Sequence, residues 1–436
     1  MISAMKAVVS AVLSGACALS AQQAMKFSCG AASHGGTSLS AETRFNAADR
    51  TAGFDLGAGP EDIAKGVCSS DKPFFFSVAA TDGNYRVTLV LGGPEASVTT
   101  VRAESRRLYV NELKLAAKAE KTVVLNVNVR TDTIAGQTAP DGAPIKVKLK
   151  PREIGALDWD DKLTLEFNGE HPSVRSIQIE KVDDVPTVYL AGDSTMVDQD
   201  KEPWAAWGQM LPEFFGPKVS IANNAESGET IKSFVGERRL AKIESTWKRG
   251  DYILVQFAHN DQKAGSGFVS IPEYKEIMER YIADARAKGV TPILVTSMNR
   301  RNFDADGKIK MTLGEYPQAT RDMAAKEHLG LIDLNAMSKT LFEAMGEAGT
   351  LQAFVHYPAN TFPDQPQELK DDTHFNSYGA YELARAIVES IRDQRLPLEK
   401  YLRPGIPPFD PAKPLPFSEF HLPPSPFVST TTPYGR

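Results

Sequence analysis

The pattern of apolar residues changes at Asp183-Asp184-Val185-Pro186, and this change limits what the chain can fold into. Over residues 25–183, apolar and polar positions alternate with a period of two, and turn residues separate the runs. Over residues 187–395, apolar strand-like runs alternate with helical patterns. The first pattern is typical of an antiparallel β-sandwich. The second predicts a central parallel sheet covered by helices on both faces, so we expect an all-β domain followed by an α/β domain.

The individual elements of the second region can be located from the same patterns. A helix is clearest from Tyr274 to Ala285, where apolar residues are spaced i, i+3, i+4, i+7, i+8 and i+11. Ser270 is placed to cap the start of this helix, and Gly289 is placed to end it. Five apolar runs are predicted to be strands of the parallel sheet, at 188–191, 219–222, 252–257, 292–297 and 331–334.

Composition excludes several classes of protein. The chain has 436 residues, of which 42% are hydrophobic and 24% are charged, as in a soluble globular protein with more than one domain. A net charge of −6 and the lack of a Lys/Arg cluster argue against a nucleic-acid partner. Residues 402–436 contain ten prolines, so this tail is expected to wrap over a domain or to stay partly extended. The oligomeric state stays open.

The amino terminus has the three parts of a secretory signal. Lys6 precedes the apolar run 7–13, and small residues follow up to residue 20. The run is too short to span a bilayer, so we expect a signal peptide at 1–20, no transmembrane segment, and export to the periplasm or the extracellular space. A lipoprotein anchored through Cys17 is the less favoured alternative, because Leu13 lies one residue too far from the cysteine.

Cleavage after residue 20 leaves two cysteines in the mature chain, Cys29 and Cys68. An even number of cysteines in an oxidising compartment favours a disulfide, whereas two buried thiols are the alternative. We therefore predict a Cys29–Cys68 bond within the β-rich region.

Ser194 directly follows a predicted buried strand and the turn Gly192-Asp193. Open parallel sheets carry their chemistry just beyond the carboxyl ends of the strands. A serine hydroxyl is a poor nucleophile unless a base removes its proton. The best base in the sequence is His374, which Asp371 is spaced to orient.

Two further polar features follow predicted strands. Gly228 comes after the second strand, where a glycine lets the backbone present its N–H to a ligand. Asn260 comes after the third strand, and its amide is a donor suited to a developing oxyanion. We expect Ser194, Gly228, Asn260 and His374 to lie on successive loops at one edge of the sheet.

The segments around Ser194, Gly228, Asn260 and His374 resemble the four conserved blocks of the GDSL/SGNH hydrolases. Within them, Gly192-Asp193-Ser194-Thr195, Glu226-Ser227-Gly228 and Asp372-Thr373-His374-Phe375 look most like the rhamnogalacturonan acetylesterases, which deacetylate pectin. The family's third block usually begins with glycine, and here Ala258 stands in its place. This departure puts the close packing of that turn in doubt more than the role of Asn260.

The resemblance implies a flavodoxin-like three-layer α/β sandwich at 187–395, preceded at 25–183 by a galactose-binding-like, jelly-roll-like β-sandwich. It implies a serine esterase that needs no metal or other cofactor and acts on an acetylated polysaccharide or oligosaccharide. Ser194, His374 and Asp371 would be the catalytic triad. The backbone N–H groups of Ser194 and Gly228 and the Asn260 amide would form the oxyanion hole.

Two segments near the predicted site are possible substrate contacts. Residues 354–368 are rich in aromatics and prolines and could form a wall for an oligosaccharide, although ordinary loop packing is the alternative. Arg300-Arg301 follows the fourth strand and could meet uronate carboxylates, unless these side chains are solvated or salt-bridged.

The sequence also leaves rival functions open. The same machinery would serve another ester, such as acetylxylan, an O-acetyl group of peptidoglycan, or a lipid. A catalytically silent carbohydrate-binding protein is the rival from another class, although the intact Ser194, Asp371 and His374 speak against it.

Overall fold

The computed structural model describes residues 24–30 and 36–433. The predicted signal peptide at 1–20, with Cys17, lies outside the described residues. Among the residues that are described, no helix has the length and apolar character needed to cross a membrane.

The described elements are strands and α-helices in the order that the sequence patterns predict, with an all-β region first. The strands are β1 Met25–Cys29, β2 Thr37–Leu39, β3 Gly53–Phe54, β4 Asp62–Ala64, β5 Val67–Ser69, β6 Phe74–Ala79, β7 Gly83–Leu91, β8 Ser97–Ala103, β9 Arg107–Leu115, β10 Lys121–Val129, β11 Thr133–Thr138, β12 Pro144–Lys146, β13 Lys162–Glu170, β14 Ser173–Val182, β15 Thr187–Gly192, β16 Ser220–Asn223, β17 Tyr252–Gln256, β18 Thr291–Val295, β19 Gly330–Ile332, β20 Phe354–Tyr357 and β21 Leu369–Phe375. The helices are α1 Trp207–Met210, α2 Ile231–Gly236, α3 Arg239–Glu244, α4 Ile271–Lys288, α5 Tyr316–Lys326, α6 Leu334–Thr350 and α7 Ser377–Asp393.

The second region is built on a parallel sheet whose strands lie in the order β19-β18-β17-β15-β16. Counted along the chain within this region, that order is 2-1-3-4-5, which is the flavodoxin-like arrangement. The order reverses direction beside β15, so the crevice beyond the end of β15 is the expected place for a ligand. The predicted fold class is confirmed, and Ser194 lies just past the end of β15.

Strand β15 contributes to a core on each face of the sheet. Val188 and Leu190 belong to a buried cluster with residues of α1, α6 and α7. Tyr189 and Ala191 belong to a second cluster with residues of α2, α3, α4 and α5. Side chains of successive strand residues point to opposite faces, so a strand with both faces covered is apolar throughout, as this run is.

Helix α4 shows how the sequence sets an element's limits. Ser270 accepts a hydrogen bond from the backbone N–H of Glu273 at the start, and Gly289 adopts a φ of 74° at the end. Only glycine adopts that left-handed conformation without strain, so the helix stops where predicted.

The all-β region is a sandwich of two sheets. One sheet contains β10, β7, β14 and β1, which pair antiparallel, and the other has the order β3-β6-β13-β8-β9. A single buried cluster contains apolar residues from both sheets. The structure contains a disulfide between Cys29 on β1 and Cys68 on β5.

The two regions share one continuous sheet. Strand β10 of the sandwich pairs in parallel with β16 through Val127 and Ile221. Beside this pair, the Asn84 amide donates to Thr187 Oγ1 at 2.8 Å, and the Asn126 amide donates to the Val219 carbonyl at 3.1 Å. The division of the chain at 25–183 and 187–395 therefore stays a prediction about domains, because no gap in the sheet separates them.

The proline-rich tail runs back over both regions. Near its end, the Asn168 amide of the sandwich donates to the Pro424 carbonyl at 2.9 Å, and the Ser425 hydroxyl donates to Glu166 at 3.0 Å. In the loop that follows β15, the Glu202 N–H donates to the Phe427 carbonyl at 2.8 Å. The tail thus ties the sandwich to the loop that follows β15.

One feature differs from the sequence prediction. Asp371 and His374 do not lie on a loop after the last parallel strand but on β21, which pairs antiparallel with β20 in a separate two-stranded sheet. The short, irregular run of apolar residues there, with prolines between the two strands, gives no clear period-2 signal.

Candidate active site

Ser194 is held on a tight turn directly after β15. A Cβ atom at Gly192 would lie 2.7 Å from the Met196 sulfur and 2.9 Å from the Gln256 carbonyl oxygen, so this position needs glycine. The Asp193 carboxylate accepts hydrogen bonds from the backbone N–H of Thr195 at 2.9 Å and from its hydroxyl at 2.7 Å. These bonds set the direction in which the chain leaves the strand and leave Ser194 at the strand end.

The structure brings Ser194, His374 and Asp371 together in one hydrogen-bonded chain. Ser194 Oγ lies 2.8 Å from His374 Nε2, and His374 Nδ1 lies 2.8 Å from Asp371 Oδ2. The other carboxylate oxygen, Oδ1, accepts from the backbone N–H groups of Thr373 and His374 at 2.9 and 3.0 Å. Ser194, His374 and Asp371 therefore have the mutual geometry of a Ser-His-Asp triad.

The environment of Asp371 keeps its carboxylate charged. Burial raises the pKa of Asp371, but the hydrogen bond and charge of His374 and the two backbone N–H groups outweigh burial and lower the pKa to about 2. A carboxylate that stays ionised holds a hydrogen-bond acceptor toward His374 Nδ1. The Nε2 atom is then free to take a proton from Ser194.

The hairpin of β20 and β21 carries His374 to the serine. Phe375, next to His374, packs against Phe354 of β20 with ring centroids 4.5 Å apart. Its carbonyl accepts from the Ala205 N–H at 2.8 Å, which links β21 to the segment that follows Ser194. Asn376 then caps α7 by accepting from the Gly379 N–H. His374 is thus placed by a paired strand rather than by a free loop.

Gly228 and the Ser194 backbone provide N–H groups that are free to bind a ligand. Gly228 has a φ of 81°, a conformation that favours glycine. Within the residues that the structure describes, neither the Gly228 N–H nor the Ser194 N–H donates to a protein acceptor. The Glu226 N–H donates to the Gly192 carbonyl at 3.1 Å, so the turn at Gly228 is attached to the end of β15.

Asn260 is attached to the same turn. Its amide nitrogen donates to the Glu229 carbonyl at 2.9 Å, and its oxygen accepts from Lys263 Nζ at 3.0 Å. With the oxygen held by a cation, the amide is oriented with its NH₂ toward the Gly228 turn. One of the two amide hydrogens satisfies Glu229, so the second is available as a donor.

Alanine at position 258, where the family usually has glycine, does not disturb the turn. Ala258 is fully buried and packs in the cluster that also contains Phe257 and Tyr274. The methyl group that distinguishes alanine from glycine therefore fills core space.

His259 is a site neighbour that the sequence analysis did not single out. Its side chain is fully buried, and among the described residues neither ring nitrogen has a hydrogen-bond partner. Burial, together with the charges of Arg300 and His374, holds the pKa of His259 well below its usual range. The ring is therefore neutral, and its place directly before Asn260 was the only sequence signal for it.

Arg300 and Arg301 have different surroundings. Arg301 pairs with Asp372 at 3.2 Å and donates to the Glu347 carbonyl at 2.9 Å, so it takes the salt-bridged alternative. Arg300 donates to the His259 carbonyl at 3.1 Å, and burial lowers the pKa of its guanidinium. Arg300 therefore supports the loop of Asn260 from behind.

A groove of about 300 Å³ lies beside the hairpin. It is bounded by the β20–β21 connection, by the start of α7 and by the proline-rich tail, and its aromatic lining residues are Tyr357, Phe362, Tyr378, Phe417 and Phe420. Phe417 is 46% exposed. The predicted wall at 354–368 thus forms one side of an aromatic groove, and we call this groove the hairpin groove.

Comparisons with known proteins relate the chain to a family of hydrolases. A model of the GDSL-like lipase/acylhydrolase family matches residues 190–381. The rhamnogalacturonan acetylesterase RhgT of Bacillus subtilis is 40% identical over 217 residues, which are 49% of this chain and 93% of the relative. The probable rhamnogalacturonan acetylesterase YesY of the same organism is 32% identical over 215 residues, 48% of this chain and 94% of the relative.

Among solved structures, protein YxiM of Bacillus subtilis covers 86% of this chain and 99% of its own, with a TM-score of 0.47 and 23% identity. The family assignment depends on the match at 190–381 and on the 40% identity over nearly all of RhgT. The chain belongs to the GDSL-like lipase/acylhydrolase family.

Proposed function

We propose that this protein is a serine esterase that removes O-acetyl groups from a plant cell-wall polysaccharide, acetylated rhamnogalacturonan. The observation that carries the proposal is the hydrogen-bonded chain Ser194–His374–Asp371, with 2.8 Å at each of its two links. Ester hydrolysis is the reaction class of the family, and a carbohydrate ester as the substrate is supported by the two rhamnogalacturonan acetylesterases among the relatives.

In the first half-reaction, His374 Nε2 takes the proton of Ser194 Oγ as the oxygen attacks the acetyl carbonyl. The tetrahedral intermediate collapses as His374 returns that proton to the sugar oxygen, which leaves as an alcohol. Ser194 then carries the acetyl group. Asp371 holds the imidazole in the required tautomer and stabilises its charged form.

In the second half-reaction, water replaces the sugar. His374 takes a proton from the water molecule, the hydroxide oxygen attacks the acetyl-serine carbonyl, and the proton passes to Ser194 Oγ as acetic acid departs. The enzyme returns to its starting state, and the net reaction consumes one water and releases one sugar hydroxyl and one acetic acid, which ionises to acetate and a proton.

The oxyanion of each intermediate is stabilised by donors that are already in place. We assign this role to the Ser194 N–H, the Gly228 N–H and the free hydrogen of the Asn260 amide. Donors held by the fold need no reorganisation when charge develops, and each is worth about 3–4 kcal/mol in comparable hydrolases.

The hairpin groove supports a carbohydrate substrate. Aromatic faces pack against the apolar faces of sugar rings, and Phe417 exposes nearly half of its side chain there. The groove also includes Asn376, two residues after His374. A sugar bound in it would therefore lie near the end of β21, next to the triad histidine.

Export through a signal peptide at 1–20 is part of the same proposal. The Cys29–Cys68 disulfide supports an oxidising compartment, since disulfides are rare in the cytosol. A periplasmic or extracellular enzyme would meet polysaccharide from outside the cell.

Acetate release tests the substrate. Purified protein is incubated with acetylated rhamnogalacturonan, acetylxylan, O-acetylated peptidoglycan and an acylglycerol, with Ser194→Ala as the matched control. We expect the largest Ser194-dependent kcat/KM on rhamnogalacturonan. A larger kcat/KM on another polymer would identify that polymer as the substrate instead. Equal acetate release by the wild-type and Ser194→Ala proteins would reject the mechanism.

A further inference from the structure

Two loops of the candidate active site are held by side chains of the sandwich. We call residues 193–199 the nucleophile loop, because they begin beside Ser194, and residues 224–230 the oxyanion loop, because they contain Gly228. The bracing segment is residues 150–153, which belong to the sandwich region and lie against the oxyanion loop. Neither the triad nor the family resemblance accounts for these contacts.

The bracing segment contacts the oxyanion loop through two cations. Lys150 Nζ donates to the Ser227 carbonyl at 2.6 Å and also pairs with Glu229. Arg152 Nε donates to Glu226 Oε1 at 2.7 Å. Lys150 thus contacts the residues immediately before and after Gly228, and Arg152 contacts the residue two positions before it, so these contacts control where the Gly228 N–H points.

The cations favour the charged form of the contacted carboxylates. The side chains of Glu226 and Glu229 are 4% and 0% exposed, and burial raises the pKa of each to about 7. The charges of Lys150, Arg152 and Arg239 oppose that rise, so they stabilise the ionised, paired form of the oxyanion loop.

A third ion pair fixes the bracing segment itself. Arg239, the first residue of α3, donates to both oxygens of Glu153, at 2.9 Å through Nη1 and 2.5 Å through Nη2, and also pairs with Glu229 of the oxyanion loop. Both side chains are at most 5% exposed. A bidentate arginine–carboxylate pair is geometrically specific, so it holds the segment at one distance from α3.

The nucleophile loop is held in the same way by β9 and the residue before it. Arg107 Nε lies 2.6 Å from Asp198 Oδ2, and both side chains are fully buried. Arg106 donates to the Gln199 carbonyl at 3.1 Å, and the Gln199 amide in turn donates to the Ser194 carbonyl at 3.1 Å. Arg106 of the sandwich is therefore linked to the Ser194 backbone through one residue, Gln199.

The relative RhgT has little room for an equivalent of the sandwich. About half of this chain aligns with 93% of RhgT, so the remaining 7% of that relative is far shorter than residues 25–183. RhgT therefore cannot brace its esterase region with a sandwich of this size.

We propose that the sandwich is a structural part of this active site, and that Lys150 and Arg152 are positioning residues for the oxyanion hole. The inference rests on the proposed esterase function. The sandwich then has a role in turnover that does not require it to bind sugar.

Displacing an oxyanion donor affects the transition state more than the bound substrate. The carbonyl oxygen gains its negative charge only as Ser194 attacks, so a misplaced Gly228 N–H lowers kcat and leaves KM nearly unchanged. Loss of a surface ion pair in the same part of the sandwich would change neither kcat nor KM.

The test compares Lys150→Met and Arg152→Met with Lys146→Met in the full chain. Lys146 lies in the same stretch, but its side chain is 54% exposed and pairs with Asp132 at 3.1 Å. With 4-nitrophenyl acetate, we expect kcat to fall about tenfold or more in the first two variants, with KM within about twofold of wild type. Lys146→Met should match wild type, and Arg152→Lys should recover part of the loss.

A double variant separates positioning from stability. Arg152→Met/Glu226→Gln removes the unpaired buried charge together with its partner, so the melting temperature should recover relative to Arg152→Met. We expect kcat to stay low in the double variant because the brace is still missing. Recovery of kcat together with melting temperature would overturn the inference, and so would wild-type kcat in both single variants.

These outcomes are distinct from failure of the proposed function. If wild-type protein hydrolyses 4-nitrophenyl acetate and the Lys150 and Arg152 variants do so equally well, only the inference fails. If wild-type protein and Ser194→Ala hydrolyse it equally poorly, the proposed function fails and the inference fails with it.

Discussion

Ser194 Oγ and His374 Nε2 lie 2.8 Å apart although 180 residues separate them in the chain. Ser194→Ala removes the attacking oxygen of the proposed mechanism and keeps the backbone N–H of this residue. We expect turnover of 4-nitrophenyl acetate to fall by several orders of magnitude, since loss of one triad member disables the unit. The melting temperature should change little, because the substitution removes one small hydroxyl. Turnover near that of wild type would contradict the mechanism.

Asn260→Ala tests the side-chain donor of the oxyanion hole. The amide is held between the Glu229 carbonyl and Lys263, so it acts from a fixed position. We expect kcat to fall about a hundredfold or more with KM nearly unchanged, because the donor acts mainly on the transition state. A raised KM at constant kcat would instead assign Asn260 to ground-state binding.

The Cys29–Cys68 disulfide is predicted to matter for stability and not for turnover. It joins β1 and β5, on the opposite side of the sandwich sheet from the β10–β16 junction. With a sequence separation of 39 between the cysteines, the loop-entropy model gives a stabilisation of about 3–4 kcal/mol. Reduction should lower the melting temperature and spare activity at 25 °C. In the control measurement, iodoacetamide labelling of the denatured, unreduced protein should find no free thiol at either position.

Asp261→Asn tests the effect of a buried carboxyl on the pH dependence of stability. Asp261 is fully buried, and one of its oxygens has no partner among the described residues. Burial and the nearby charges of Asp193 and Glu229 raise its pKa from 3.8 to about 7, against the hydrogen bond from the Ile231 N–H.

Because the pKa is higher in the folded state than in the unfolded state, the stability that Asp261 contributes is complete below pH 3.8 and is lost as the pH rises through about 7. Asp261→Asn removes this loss, so its melting temperature should exceed that of wild type at pH 8 and approach it at pH 5. Asp322→Asn on the surface is the control and should show no such pH-dependent gain. If the melting temperatures of Asp261→Asn and wild type differ by the same amount at pH 5 and pH 8, the ionisation of Asp261 is not the cause.

Phe417→Ala tests the hairpin groove. We expect KM to rise severalfold on the acetylated polymer, because a stacking face is lost, and to stay unchanged on 4-nitrophenyl acetate. Phe268→Ala is the matched control, since Phe268 is 48% exposed but does not line the groove. Equal KM values for wild type and Phe417→Ala on the polymer would show that the hairpin groove does not bind the substrate.

The placement of the candidate site was predictable because its parts directly follow strands with a strong apolar signal. Ser194, Gly228 and Asn260 come after β15, β16 and β17, and the alternation of strand and helix patterns predicts that these strands are parallel. The helix limits at Ser270 and Gly289 were predictable for a similar reason, since capping depends on neighbouring residues only.

The contacts that the sequence did not predict are between residues distant in the chain. Nothing near Arg107 indicates Asp198 as its partner, and nothing near Lys150 indicates the Ser227 carbonyl. Charged residues are usually solvated, so a sequence pattern does not mark the few that are buried in pairs. The β20–β21 hairpin was missed because its strands are short and its connection contains prolines.

The tail contacts described above also affect the order in which the chain is completed during synthesis. Arg102 and Glu166 form an almost fully buried ion pair in the sandwich, and Ser425, 259 residues after Glu166, donates to that carboxylate. At 5–20 residues per second, a ribosome needs roughly 10–50 s to make the intervening chain. The sandwich is therefore synthesised early but gains its last polar partner only when the tail emerges, so a nascent chain that stalls before residue 425 carries a first domain with an unfinished buried network.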